Sequence, residues 1–322
     1  MSSSIPEVWV TMGKIFATLF AICFSLAMTL TPVKGKGRRA SSGSRAHKQT
    51  LSSLWLCDPA SNPSKHHAEL FILKASACWI ASVGIVIYFK MFEWWGRWGY
   101  IVYCCGCAAP YVLVPYLYPL QGDILTSTEG KTSTRPLKDT YIFKANVWIA
   151  IFSFIGNYWY THYFYQVLQA KYTFDAHRLN DVPIALYFMT HAYFMFYHVL
   201  SNVALRRVRK EYKKDKFRFI FQCALIATMA YTTAFMESLT ICGFPYYTFN
   251  DRDMAYTLGS AFYGVYFLVS FPAFLTVDEN AKSKKTYAAV FWEAMGSSMF
   301  VLCLLDFVRL YLGMDFVMKV VN

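Results

Sequence analysis

The chain has 322 residues, of which 56% are hydrophobic and only 16% are charged. Soluble domains are about 45–50% apolar, so this composition excludes an ordinary soluble protein and indicates a helical protein that crosses the membrane several times. The net charge of +12 does not indicate nucleic-acid binding, because the Lys and Arg residues lie in short connections beside apolar runs, where they orient the protein and contact anionic lipid.

The first apolar run, at about 15–31, has a basic segment after it rather than before it. A cleaved signal peptide has the opposite order, so we expect an N-terminal extension at 1–32 that carries an uncleaved membrane anchor helix. Residues 33–60 are rich in Gly, Ser, Lys and Arg and are predicted to form a basic flexible linker. The remaining chain is predicted to form one membrane domain at 61–314 and a C-terminal tail at 315–322.

Seven further apolar runs follow, each about as long as a helix that spans a bilayer. They lie at about 69–89, 98–118, 143–168, 183–205, 218–242, 255–275 and 287–312. The predicted fold class is therefore all-α, a polytopic membrane bundle of about eight transmembrane helices. With the N-terminus outside, the basic connections all fall on the cytoplasmic side, as the positive-inside rule requires. The strongest basic run, at 206–218, is predicted to be one of these connections.

The two central runs, at 143–168 and 183–205, carry amides, hydroxyls and imidazoles where a plain anchor would carry Leu or Val. Polar groups at membrane depth are costly, so they usually face a bundle interior and indicate a functional surface. Such groups also bond one helix to another, and this structural interpretation stays open for the stripe from Asn146 to Thr161. The inner histidines lack the dense spacing of a di-iron site and suitable haem partners, so no metal is predicted.

Glu237 lies well inside an apolar run with no Lys or Arg near it in the sequence. Because desolvation disfavours its charge, we expect this carboxyl to hold its proton, as a general acid in an apolar pocket does. The alternative is a structural hydrogen-bond donor. Asp306 and Arg309, three residues apart, are predicted to form an ion pair within one helix. Asp278 and Glu279, which lie in a basic connection, are predicted to be surface charges.

Several long segments resemble the cyclopropyl sterol isomerases, the cycloeucalenol cycloisomerase family. They are NPSKHHAELF (62–71), KANVWIAIFSFIGNYWYTHYF (144–164), YTF (172–174), NDVP (180–183), THAYFMFYHVLSNVALRRVR (190–209), FPYYTFNDR (244–252), YFLVSFPAF (266–274), DE (278–279) and LLDFVRLYLG (304–313). These segments cover most of 61–314 in the family's order, whereas 1–60 departs from the family pattern. By this resemblance, 61–314 is the sterol isomerase domain, with seven helices in the family core and one added at the N-terminus.

The resemblance implies a sterol biosynthesis enzyme, an intramolecular lyase or isomerase that opens the cyclopropane ring of cycloeucalenol-type sterols to give obtusifoliol. It implies no cofactor and a multi-pass protein of the endoplasmic reticulum membrane. The implied partners are a sterol, the lipid bilayer and other sterol biosynthesis enzymes in the same membrane, with no nucleic acid. A non-catalytic sterol-binding or transport protein and a sterol double-bond isomerase remain alternatives.

Opening a cyclopropane by protonation requires an acid, a base and aromatic faces that stabilise a carbocation. The candidate acids and bases, which share membrane depth, are Glu237, His162, His191 and His198. The candidate substrate-binding residues, which could orient these groups, bond the sterol hydroxyl or stabilise the cation, are Asn157, Asn202, Tyr158, Tyr197, Thr161 and Tyr263.

Overall fold

The structure, a computed structural model, describes residues 7–33, 55–126 and 131–312. Its helices are α1 (Glu7–Ala27), α2 (Pro63–Tyr88), α3 (Arg97–Leu117), α4 (Tyr141–Ile155), α5 (Thr161–Val167), α6 (Ile184–Glu211), α7 (Lys216–Gly243), α8 (Arg252–Met254), α9 (Ser260–Leu275) and α10 (Tyr287–Leu312). The π-helical turns Gly156–Tyr160 and Ala255–Gly259 join α4 to α5 and α8 to α9. Short 3-10 turns lie at Met91–Trp94, Gln121–Asp123 and Leu137–Asp139.

Three short antiparallel strand pairs lie in the connections between helices. They are β1 (Ile124–Thr126) with β2 (Thr132–Thr134), β3 (Lys171–Tyr172) with β6 (Tyr247–Thr248), and β4 (Arg178–Leu179) with β5 (Val182–Pro183). In the β3–β6 pair, Lys171 lies opposite Thr248 and Tyr172 lies opposite Tyr247. This pair ties the connection after α5 to the connection after α7, at the bundle end opposite the main basic run.

The fold is an all-α multi-pass membrane bundle, as predicted. Six described helical segments are long and apolar enough to cross a membrane, and they are Glu7–Ala27, Pro63–Tyr88, Arg97–Asp123, Lys216–Gly243, Arg252–Leu275 and Tyr287–Tyr311. The two central runs fall outside this set, because their His, Tyr and Asn residues lower the mean hydropathy below that of the other long helices. The count of eight spans therefore stays a prediction.

The two central runs form the interior of the bundle. One face of α4 is fully buried from Tyr141 to Phe152, and α4 packs against both α6 and α10. Helix α6 in turn contacts α2, α3, α7 and α9. Helix α1 lies on the outside of α7, where Phe16 packs edge-on against Phe235 with ring centroids 5.0 Å apart. The predicted linker falls mostly outside the described residues, and the predicted tail at 315–322 does so entirely.

The basic run predicted as a connection at 206–218 is helical in its first half, which corrects that prediction. Helix α6 continues to Glu211, and only 212–215 connect it to α7. Arg, Lys and Glu have high helix propensity, and Arg207 forms an ion pair with Glu211 one turn later. Asp215 then caps the first turn of α7 with its side chain, so the new helix begins at once.

A buried ionic cluster holds α2, α4, α6 and the connection between α9 and α10 together at the basic end. Its members are Lys65, Glu69, Lys144, Arg206, Asp278 and Glu279. Arg206 donates to both oxygens of Glu69 at 2.8 Å and to both oxygens of Glu279 at 2.8 Å. The three cations and three carboxylates balance, as a buried group of charges must.

The ionic cluster corrects the prediction that Asp278 and Glu279 are surface charges. Asp278 is 1% exposed, and the Lys144 ammonium lies 2.8 Å from its carboxylate. Glu279 lies 2.9 Å from the Lys65 ammonium. The cations come from helices far away in the sequence, so the neighbours of these acids in the chain gave no sign of the pairing. The predicted ion pair between Asp306 and Arg309 is confirmed, with nitrogen and oxygen 2.8 Å apart.

Candidate functional site

A cavity of about 280 Å³ lies among α2, α3, α6, α7 and α9, at the end of the bundle where β3 pairs with β6. Its walls are mostly apolar, and many of the lining side chains are aromatic. They include the rings of Phe164, Tyr172, Tyr193, Tyr247, Tyr263 and Tyr266. Mostly apolar walls with a few polar groups are typical of a small-molecule site.

Glu237 is the only carboxyl group among the described residues that line this cavity, and no Lys, Arg or His lines it with Glu237. The Tyr263 hydroxyl donates a hydrogen bond to Glu237 Oε2 at 2.7 Å. Tyr197 also lies within hydrogen-bonding reach of this carboxyl. The acid therefore has phenols as neighbours and no cation among the lining residues, and the part of it that is exposed faces the cavity.

Small side chains between α7 and α9 bring Glu237 and Tyr263 into contact. Ala230 and Ala234 on α7 are buried, and a Cβ at Gly264 on α9 would lie 3.7 Å from the Tyr231 Cα. Small residues let two helix backbones approach closely in a membrane bundle. At this short separation a tyrosine from α9 reaches a carboxyl on α7 directly.

A second polar group lines the cavity where α4 meets the π turn. Asn157 and Thr161 both face the cavity, as does Thr190 on α6, whose hydroxyl donates to Asn157 Oδ1 at 3.4 Å. Asn157 in turn donates to the Ser153 carbonyl at 2.9 Å. π-helical turns occur frequently at functional sites, and this one lies beside the predicted binding residues. Of the ten predicted site residues, the cavity lining contains Glu237, Asn157, Thr161 and Tyr263.

His191 and His198 lie outside the cavity lining and bond to neighbouring helices. His191 Nε2 is 2.9 Å from the Asn146 side-chain oxygen. The two ring nitrogens of His198 lie 2.7 Å from the Phe194 carbonyl and 2.8 Å from the Ser270 hydroxyl. His198 is fully buried among aromatic rings, and both of its polar atoms are satisfied, one by a carbonyl of its own helix and one by the Ser270 hydroxyl on α9.

The other predicted site residues also lie outside the lining. His162 is buried beside the Asn180 side chain in the connection after α5. Asn202 lies at the basic end, where its amide nitrogen is 3.4 Å from Glu69 Oε1. Tyr158 is half-buried and lies on a different face of the π turn from Asn157. The roles predicted for these residues stay predictions.

Sequence reasoning missed the aromatic residues that the connections contribute. Tyr172 and Tyr247 face each other across the β3–β6 pair, with ring centroids 4.8 Å apart, and both line the cavity. The only signal in the sequence was that two connections, YTF at 172–174 and FPYYTF at 244–249, are unusually rich in aromatic residues. Within the described ranges, no three His, Cys, Asp or Glu side chains form a group that could hold a metal ion.

The chain is similar to the cycloeucalenol cycloisomerase of Arabidopsis thaliana. The two sequences are 40% identical over 266 residues, which cover 81% of this chain and 90% of the relative. No family model matches the chain, and no solved structure matches it at a significant level. The similarity therefore extends over most of both chains and is not confined to a short motif.

Proposed function

The chain belongs to the cycloeucalenol cycloisomerase family, and we propose that it opens the cyclopropane ring of cycloeucalenol-type sterols to give obtusifoliol. The family makes it an enzyme that rearranges bonds within one molecule, an intramolecular isomerase of sterol biosynthesis. The single observation that carries our assignment of the site is Glu237, which meets two phenols inside an aromatic cavity.

Glu237 delivers the proton that opens the ring. A cyclopropane is a very weak base, so its protonation requires an acid that is held close to the ring and shielded from water. The proton adds to the bridging methylene, and the electron pair of one of its ring bonds forms the new C–H bond. The methylene becomes an angular methyl group, and the ring-junction carbon carries the positive charge.

The cavity stabilises both charges that this step creates. Aromatic faces such as those of Tyr193 and Phe164 line the space where the sterol binds, and a desolvated cation over a ring gains about 2 kcal/mol. The Tyr263 hydroxyl already donates to Glu237, and this hydrogen bond strengthens when the carboxyl becomes a carboxylate. Stabilisation that grows toward the transition state is the kind that accelerates the chemical step.

The Glu237 carboxylate then accepts a proton from a ring carbon next to the cation, and the C–H electrons form the nuclear double bond. The overall change is an isomerisation, since one proton is added and one is removed without any redox step. Glu237 returns to its starting form. The inner histidines do not line the cavity, so the geometry favours Glu237 over His162, His191 or His198 for both proton transfers.

Asn157, Thr161 and Thr190 bind the sterol hydroxyl. A sterol of this class is apolar except at this hydroxyl, so its site needs one polar group away from the reacting ring. The hydroxyls and amide at the π turn supply that group on a wall made by this turn, α5 and α6, whereas Glu237 lies on α7. By binding the hydroxyl, these residues orient the cyclopropane ring toward Glu237.

We place the protein in the endoplasmic reticulum membrane with its basic connections in the cytoplasm. The positive-inside rule supports this orientation, and the six long apolar helices support a multi-pass protein. Residues 61–314 form the isomerase domain of this proposal, and residues 1–32 form an added anchor. Other enzymes of sterol biosynthesis in this membrane would supply its substrate and take up its product.

The test is to incubate membranes that contain the expressed protein with cycloeucalenol. We expect conversion to obtusifoliol, and a single turnover in D₂O should put one deuterium in the new angular methyl. Glu237→Gln should lower the turnover by about 10²-fold or more, the usual contribution of a general acid, whereas Glu293→Gln, outside the cavity, should not.

Wild-type turnover in Glu237→Gln would overturn the acid assignment. Bound but unchanged sterol would indicate a binding or transport protein, and a shifted double bond with an intact cyclopropane would indicate a double-bond isomerase.

A further inference from the structure

The cavity is closed toward the basic end of the bundle by a solid aromatic layer. Phe194 lines the cavity, and its ring lies 5.6 Å from the His198 ring on the side away from it. His198 is itself surrounded by further rings, including those of Phe267 and Phe274. These side chains are fully buried, so no passage leads from the cavity through this layer.

The opposite end, which faces the aqueous connections, is covered by an aromatic cap. Tyr172 and Tyr247 contact each other across the β3–β6 pair, and the Thr173 amide donates to the Tyr246 carbonyl at 2.9 Å. Phe92, from the 3-10 turn after α2, packs on Phe244 with centroids 4.8 Å apart. A rigid apolar molecule cannot pass through this cap without separating the paired connections.

The remaining way out of the cavity is a lateral mouth between α2 and α7. Among the described residues that line the cavity, Ile87 on α2 and Thr240 on α7 are the two that are exposed, and Ile87 is 54% exposed. A residue that lines a cavity and also lies on the outer surface marks its opening. Helices α2 and α7 are not packed closely against each other, which leaves the gap between them.

The surface around this mouth faces lipid. Ile80 and Ile85 on α2 and Met236 on α7 are exposed apolar side chains that lie within two turns of the mouth. In a membrane bundle, exposed apolar residues on spanning helices contact acyl chains rather than water. The mouth therefore opens into the bilayer, where a sterol is already dissolved.

We propose that the sterol enters and leaves sideways from the lipid between α2 and α7, through the mouth formed by Ile87 and Thr240. This inference rests on the proposed function, because it takes the ligand of the cavity to be a sterol. Glu237 lies three residues before Thr240 on the same helix and faces the cavity, so the acid is just inside the mouth. A sterol that slides in from the bilayer reaches the acid without ever crossing water, where its apolar surface would be costly.

The test is the rate at which radiolabelled obtusifoliol exchanges between liposomes and the reconstituted full-length protein. Ile87→Trp and Thr240→Trp narrow the mouth and should slow association and dissociation by about tenfold each, with the equilibrium affinity nearly unchanged, because the barrier rises while the bound state does not change. Ile87→Ala should instead speed both rates. The matched controls are Ile85→Trp, an isoleucine with the same 54% exposure on the same helix, and Met236→Trp beside the mouth on α7, both of which should exchange like wild type.

Exchange at the wild-type rate in Ile87→Trp, Thr240→Trp and Ile87→Ala would overturn the lateral mouth. A change in affinity with unchanged rates would also overturn it, since both residues would then be part of the binding wall. The proposed function fails separately, if wild-type protein binds sterol but does not convert cycloeucalenol, and the exchange rates still test the mouth in that case. A wild-type protein that binds no sterol overturns both proposals.

Discussion

Three glutamates of the bundle show how the surroundings of a residue decide its role. Glu69 and Glu279 each accept two hydrogen bonds from Arg206, and with the other charges of the ionic cluster they form a structural joint. Glu237 has no cation among the residues around the cavity, and its partners are the phenols of Tyr263 and Tyr197. A paired carboxylate is held in place by its cations, whereas a carboxyl among phenols can give up and regain a proton.

Tyr263→Phe tests whether this phenol supports the chemistry of Glu237. The substitution removes the 2.7 Å hydrogen bond and keeps the ring, and hydrogen bonds to charged groups contribute about 1.5–3 kcal/mol. We expect kcat to fall by about 10–100-fold, with little change in KM, because the bond is strongest when Glu237 is ionised. Tyr266→Phe is the control, since the Tyr266 hydroxyl donates to the Tyr160 carbonyl and not to the acid. Equal losses of kcat in both variants would contradict the assignment.

His191→Gln separates a catalytic imidazole from a structural one. The Gln amide can replace the hydrogen bond to Asn146, 2.9 Å from His191 Nε2 in this structure, but it cannot accept or donate a proton at neutral pH. If Glu237 performs both proton transfers, turnover of cyclopropyl sterol should stay within about threefold of wild type, as for a substitution outside the site. A loss of turnover of about 10²-fold in a folded variant would instead assign one of the two proton transfers to His191.

At the scale of the elements, the sequence predicted what depends on local pattern and missed what depends on contacts between distant segments. The helices followed from apolar runs, and Glu237 stood out because no Lys or Arg lies near it in its run. The strand pair that brings Tyr172 to Tyr247 could not be predicted, since two-residue strands have no periodicity. Arg206 and Glu69 belong to different helices and are 137 positions apart, so their pairing was equally hidden.

The ionic cluster makes the basic end of the bundle dependent on one arginine. Arg206→Gln leaves Glu69, which is fully buried, without its bidentate partner, and breaking a buried pair on one side costs about 3–5 kcal/mol. We expect a clearly lower thermal unfolding midpoint in detergent. The control is Arg207→Gln, because Arg207 pairs with Glu211 near the surface, where such a pair contributes about 0–1 kcal/mol. Similar midpoints for the two variants would show that the cluster is not a structural joint.

The stabilisation that the ionic cluster provides should be lost at low pH. Burial by itself would raise the pKa of Glu279, but hydrogen bonds from Arg206 and the charges of Lys65 and Arg206 outweigh it and lower the pKa to about 2. The folded pKa is below the unfolded value of about 4.3, so the stabilisation is present above that pH and is lost as the pH falls toward 2. The unfolding midpoint of wild type should exceed that of Glu279→Gln at pH 7, and the gap should narrow below about pH 4. A gap independent of pH would contradict the pairing.

Across the whole molecule, stability and chemistry are concentrated at opposite ends of one helix bundle. The ionic cluster fastens α2, α4 and α6 at the basic end, and the solid aromatic layer around His198 separates it from the cavity. The cavity at the other end is open to lipid and is lined by an acid without a counter-ion among the lining residues. The paired charges at one end stabilise the fold, whereas the acid at the other end lacks a charged partner and is free to transfer a proton.

Helix α1 lies outside this division, and its removal tests whether the isomerase domain is sufficient for catalysis. Its contacts are with the outer face of α7, where Phe16 packs on Phe235 and the Cys23 thiol lies 3.2 Å from the Thr228 hydroxyl, and with the π turn before α9, where the ring centroids of Trp9 and Tyr256 are 5.1 Å apart. No residue of α1 lines the cavity, and Glu237 faces the other side of α7. A chain that begins at residue 55 should therefore turn over cyclopropyl sterol within about threefold of the full chain, since distant sites contribute independently.

The shortened chain should nevertheless unfold at a lower temperature, because packing is the main force between helices in lipid and α7 loses one of its packed faces. Turnover per folded molecule and the thermal midpoint, measured on the same reconstituted sample, separate the two effects. A folded shortened chain without activity would show that α1 does more than anchor the protein, since it would then be holding α7, and with it Glu237, in the position that catalysis requires.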